Sequence, residues 1–122
     1  MADNSSGRLG EQYAVERLKN DGYEIICTNY RSRFGEIDII ASNSKYIVFV
    51  EVKTRRYTSY ARPVEWVTKT KQNRIINTAL IYLSEHKTNL YTRFDVIEII
   101  TGTREFHVIE YNHIKNAFMM GW

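Results

Sequence analysis

"GEIDIIASNSKYIVFVEVKTRR", residues 35–56, holds two Ile- and Val-rich runs, residues 35–41 and 46–53, separated by the turn residues Ser42, Asn43 and Ser44. β-Branched and aromatic residues bounded by such a turn predict two strands, most simply joined as an antiparallel hairpin. With a period of two, Ile47, Phe49, Glu51 and Lys53 share one side of the second strand. In the first strand Glu36, Asp38 and Ile40 alternate with Ile37, Ile39 and Ala41. In the right register Asp38 therefore faces the side that carries Glu51. A charge inside an apolar strand is costly unless it is paired or binds a cation. Hard divalent ions such as Mg²⁺ take oxygen ligands, commonly one or two carboxylates with waters and a phosphate oxygen. Asp38 and Glu51 supply such a pair, and Lys53 lies two residues beyond Glu51 on the same face, where it can orient water or meet charge developing on phosphate.

Outward from this hairpin the pattern continues as a mixed α/β chain. A polar tail over residues 1–7, with Asn4, Ser5 and Ser6 as candidate caps, precedes a helix expected from about Arg8 to Asp21 and ended by Gly22. Ala14, Val15 and Leu18 form its apolar stripe, and helical spacing brings Glu11 onto or beside that face. Tyr23 to Asn29 predicts a further strand. Thr68 caps a second helix that runs to about His86, with Gln72, Ile75, Ile76, Ala79, Tyr82 and Leu83 on its inward stripe. "RFDVIEII" and "EFHVIEY" predict the last two strands, joined around Gly102, and "HIKNAF" is expected as a short closing helix.

At 122 residues the chain suits one domain, expected over residues 8–122, with a real core. Its 43% hydrophobic and 25% charged content is that of a globular protein, and one proline with six glycines argues against linkers. No apolar run is long enough to span a bilayer and no secretory leader pattern is present, so a cytoplasmic location is expected. The single cysteine, Cys27, cannot form an internal disulfide, and three scattered histidines give no zinc-site spacing. The net charge is only +3, but Arg31, Arg33, Lys53, Arg55, Arg56, Arg62, Lys69, Lys71 and Arg74 all fall in the middle of the chain. "TRRYTSYAR" adds tyrosines that can stack on unpaired bases to arginines that neutralise phosphate.

An Asp followed by Glu-x-Lys also occurs in strands whose charges face water. Three features set this case apart: Glu11 on one apolar helical face, Gln72 on another, and basic groups flanking the triplet. Glu11 also has a plain reading as a first-turn acid, Lys71 as a surface lysine near a helix N-terminus, and Asp95 as half of a structural ion pair with Arg93.

"GRLGEQYAVERLKNDGYEII" with Glu11, "NYRSRFGEIDIIA" with Asp38, "VFVEVKTR" with Glu51 and Lys53, "KTKQNRIINTALIYL" with Gln72, "RFDVIEI" with Asp95 and the closing "HIKNAF" together resemble the YraN-like family of small bacterial proteins. That family is similar to the PD-(D/E)XK, restriction endonuclease-like nuclease superfamily and to archaeal Holliday junction resolvases. The resemblance implies a mixed central sheet flanked by helices in the order α-β-β-β-α-β-β. It also implies Mg²⁺ or Mn²⁺ held by Asp38 and Glu51, Lys53 in the active centre, and Glu11 and Gln72 completing the catalytic set. Ile37 stands where the superfamily's name has proline. The expected function is a metal-dependent endonuclease acting on DNA, with branched or otherwise structured DNA inherited from the resolvase similarity. Arg31, Arg33, Arg55, Arg56, Lys71 and Arg74 are expected to hold the DNA backbone. A homodimer would most simply make cuts on two strands. The alternatives are a non-catalytic nucleic-acid-binding or processing-partner protein on the same fold, and a scaffold that contacts another protein.

Overall fold

A computed structural model describes residues 5–57 and 67–120. The expected "TRRYTSYAR" loop, with Tyr60 and Arg62, and the first four residues of the polar tail lie mainly outside them. The observed order is α1 (Ser6–Asn20), β1 (Glu24–Ser32), β2 (Gly35–Ser42), β3 (Tyr46–Arg56), α2 (Lys69–Glu85), β4 (Tyr91–Thr101) and β5 (Val108–Phe118). Ser5 caps α1, its hydroxyl accepting the Arg8 N–H at 3.3 Å, so the helix begins at Ser6 rather than near Arg8. Thr68 caps α2 as the sequence suggests, accepting the Lys71 N–H at 3.1 Å.

One five-stranded sheet runs in the order β1-β2-β3-β4-β5. Neighbours are antiparallel except β3 and β4, whose parallel pairing requires a crossover, which contains α2. Two apolar layers cover the sheet. On one side Ala14 and Leu18 of α1 pack on Ile39, Ala41, Val48, Val50, Ile97 and Ile99. On the other, Ile75, Ile76, Ala79 and Tyr82 of α2 pack on Ile37, Ile40, Ile47, Phe49, Phe94 and Val96. Gly10 lets the first half of α1 close on β3, because a Cβ there would overlap the Thr54 side chain. No helix among the described residues is long and apolar enough to cross a membrane.

Two expectations change. "HIKNAF" is the second half of strand β5, not a helix, because β4 offers it a partner: Val96 pairs with Ile114 and Phe94 with Phe118. Between those pairs Asn116 takes a positive φ of 54° in a bulge, and its N–H donates to Asp95 Oδ1 at 3.0 Å. The strict alternation expected along β2 also fails. Ile37 joins Ile40 on the α2 side, while Ile39 and Ala41 lie on the α1 side. The switch falls at Asp38, opposite Asn29, a non-glycine residue with φ of 54°. A left-handed residue there reverses which face the following side chains take, and asparagine tolerates that conformation better than most.

Candidate active site

The strands β2 and β3 pair only over Ile39–Ser42 and Ile47–Val50. Beyond Ile39 they part, and the Asp38 carboxylate enters the split, where Oδ2 accepts the Val52 N–H at 2.7 Å. Glu51, 3% exposed, projects from β3 into the same place. The two carboxyls adjoin closely enough to share a hydrogen bond. Burial first, and then the Glu51 charge, push the Asp38 carboxyl up to about 8. The Asp38 carboxyl thus keeps its proton well above the ordinary carboxylate range. This is the electrostatic condition that a divalent ion relieves.

The pair fits such an ion by its chemistry: two adjacent hard oxygen donors at a break in the sheet. No group of three or more His, Cys, Asp or Glu suited to a metal occurs among the described residues. Two carboxylates are within the normal complement for Mg²⁺, which keeps several waters. A bound cation would supply Lewis-acid polarisation of a phosphoryl oxygen and a more acidic water.

Lys53 Nζ lies 3.5 Å from Glu51 Oε2. Glu11 reaches the site from α1. Its carboxyl is raised by burial, lowered by the Asn29 amide, which donates to Oε1 at 2.9 Å, and raised again by Glu36 and Glu51. The same amide approaches Glu36 Oε1 at 3.3 Å, so one asparagine holds two repelling acids. Asn29 and Glu36 are therefore parts of the site that period-two reasoning missed. The signal that could have found them is the Asn-Tyr step inside a strand, where a residue able to turn left-handed permits a change of face.

Gln72 lies in the first turn of α2, but its amide donates to the Val67 carbonyl at 3.1 Å. It anchors the entry to the helix and, among the described residues, makes no hydrogen bond to the carboxylates. Lys71, expected on the DNA backbone, instead places Nζ 2.7 Å from Glu51 Oε2. Burial would lower its pKa, yet the bond to Glu51 raises it.

The remaining basic residues divide. Arg31, Arg33 and Arg74 line one hollow with Phe34 and Glu36 at the tip of the β1–β2 hairpin. Arg31 pairs with Glu36 at 2.6 Å but stays 77% exposed, and Arg33 lies over the Phe34 ring at 5.0 Å. Arg56 Nη1 donates to the Thr103 carbonyl at 3.4 Å. Arg55 is drawn inward: Nη2 donates to the buried Glu98 at 2.6 Å, and Asn112 holds the other Glu98 oxygen at 3.1 Å. Asp95 forms the expected ion pair with Arg93, Nη2 to Oδ2 at 2.8 Å, and is held also by His113 at 2.6 Å.

The model for "Uncharacterised protein family UPF0102" matches residues 10–99, from just before Glu11 into β4. A UPF0102 protein of Caldicellulosiruptor saccharolyticus is 45% identical over 113 residues, covering 92% of this chain and 95% of its own. One of Clostridium botulinum (strain Hall) is 45% identical over 116 residues, covering 93% and 94%.

Proposed function

The chain belongs to the UPF0102, or YraN-like, family, and from the site its fold assembles we propose that it is a metal-dependent endonuclease that hydrolyses phosphodiester bonds in DNA. The observation that carries this reading is the adjacency of Asp38 and Glu51 at the β2–β3 split, with Lys53 3.5 Å from the Glu51 carboxylate. Pure binding of a polyanion would be served better by removing these acids, since buried carboxylates repel phosphate.

In this reading Asp38 and Glu51 hold Mg²⁺ or Mn²⁺. The Lys53 ammonium points at the same locus, where it orients the attacking water and offsets charge gathering on the phosphoryl oxygens. Water adds to phosphorus, the bond to the leaving sugar oxygen breaks, and that oxygen takes up a proton. Glu11, held by Asn29, supplies a further acceptor for a water proton. Arg31, Arg33 and Arg74 grip the backbone near the hairpin tip, fixing the distance between phosphate and acids. Structured or branched DNA is the proposed substrate, and a two-fold dimer the proposed assembly for paired cuts.

The test is purified protein on linear, flapped, forked and four-way DNA with Mg²⁺ or Mn²⁺, beside the Glu51→Ala protein. Cleavage by the native chain that disappears in the variant and with chelator supports the proposal. DNA binding without cleavage under every metal overturns it in favour of a non-catalytic binder.

A further inference from the structure

The Glu51 side chain is 4% exposed, yet a cation reaches it from outside: Lys71, 42% exposed, spans from the start of α2 to Oε2 at 2.7 Å. Lys53 approaches the same oxygen at 3.5 Å and is less exposed, at 30%. Helix stability does not account for Lys71. The first turn of α2 contains no acid and carries Lys69 and Lys71 at the positive end of the helix dipole, where lysine is disfavoured. What favours it there is the acidic locus across from it, formed by Glu51 and Asp38.

We propose that Lys71 is a positioning residue whose ammonium stands in for the metal beside Glu51, is displaced when a divalent cation enters between Asp38 and Glu51, and then meets the DNA backbone. This rests on the metal-site reading above. The backbone of Lys71 need not move, because Thr68 fixes its N–H. Only a flexible four-carbon stem swings. A divalent ion sharing Glu51 repels both lysines, and the more exposed one has the open path outward. There the positive end of the helix dipole already favours phosphate, so the displaced ammonium adds to an existing anion preference. The device keeps a buried acid pair compensated before loading and gives DNA its full cationic contact only afterwards.

Calorimetric titration of Mn²⁺ into the metal-stripped full chain, its Lys71→Met form and its Lys71→Arg form tests the displacement. Lys71→Met should bind Mn²⁺ about tenfold more tightly than the native chain, having no tethered competitor. Lys71→Arg should stay near native. Unchanged or weaker affinity in Lys71→Met overturns the proposal while leaving the metal site intact. Absence of Mn²⁺ binding by the native chain overturns both. A readout in the native chain guards against a variant that fails to fold. The Lys71 ammonium protons should exchange slowly in the metal-free state, as an ion pair requires, and fast once Mg²⁺ is bound. Slow exchange that survives saturating Mg²⁺ also overturns it.

Discussion

Asp38 holds its proton because two effects act in the same direction, burial and the neighbouring Glu51 charge, and together they outweigh the Val52 N–H. The folded chain keeps a proton that the unfolded chain releases near 3.8. Stability from this group is therefore complete below about pH 4 and is lost as pH rises through about 8. Asp38→Asn removes that dependence. In chelator its melting curve should show a gain of about 1–3 kcal/mol over the native chain near pH 9 and little difference near pH 4. Saturating Mn²⁺ should offset that difference, stabilising the native chain by about 2.7 kcal/mol at a hundredfold excess over Kd while leaving Asp38→Asn unmoved. Asp95 behaves oppositely. Burial would raise it, but His113, Arg93 and the Asn116 N–H hold its carboxyl below the ordinary range. Its contribution is present above the ordinary carboxylate pKa and is lost as pH falls through the depressed one. Asp95→Asn should cost about 3–5 kcal/mol near neutrality by stranding Arg93, and its Mn²⁺ affinity should match native.

Elements position these residues through small departures from regular geometry. Asn29 reverses the face of β1 opposite Asp38 and also bridges Glu11 and Glu36. The two roles separate by substitution. Asn29→Gly keeps the left-handed backbone and loses the bridge, whereas Asn29→Ala loses both and should be the less stable in denaturant titration by about 1 kcal/mol. At the α1–β3 contact, Gly10→Ala drives a Cβ into Thr54 Oγ1 and should destabilise by about 1–3 kcal/mol. Thr54→Ala removes the overlapping atoms, so the double variant should recover part of that loss, a coupling measured by a double-mutant cycle. Such features mark the boundary of what the sequence discloses. The order of seven elements, the Thr68 cap and the shared side of Glu51 and Lys53 follow from local periodicity and turn chemistry, which act over a few residues. "HIKNAF" is locally ambiguous, with Ile114 and Phe118 at a helical spacing, and only the open edge of β4 makes it strand. Lys71 meeting Glu51, and Arg55 meeting Glu98, join elements distant along the chain. No spacing rule encodes those reaches.

On the proposed reading the net charge of the whole molecule, +3, is too small to hold DNA by itself, and the arrangement of charge would have to do so. The folded chain divides its basic residues into those committed inward and those gathered at one face. Arg55 compensates buried Glu98, whereas Arg33 and Arg74 border an open hollow at the hairpin tip, a short step along β2 from Asp38. Arg31 shares that hollow but must leave Glu36 to take a phosphate, which reduces its gain. Each phosphate contact to duplex DNA steepens the fall of log affinity with log salt by about 0.9. Joint removal of Arg33 and Arg74 should therefore flatten the slope by about 2, read by fluorescence anisotropy on one duplex across a salt series. Arg55→Ala should leave the slope as it is and appear instead in the melting temperature, because Glu98 is left buried and uncompensated. An Arg55→Ala slope as flat as that of the double variant would place the DNA across the β3–β4 end of the sheet, and the hairpin hollow would then have no part in holding it.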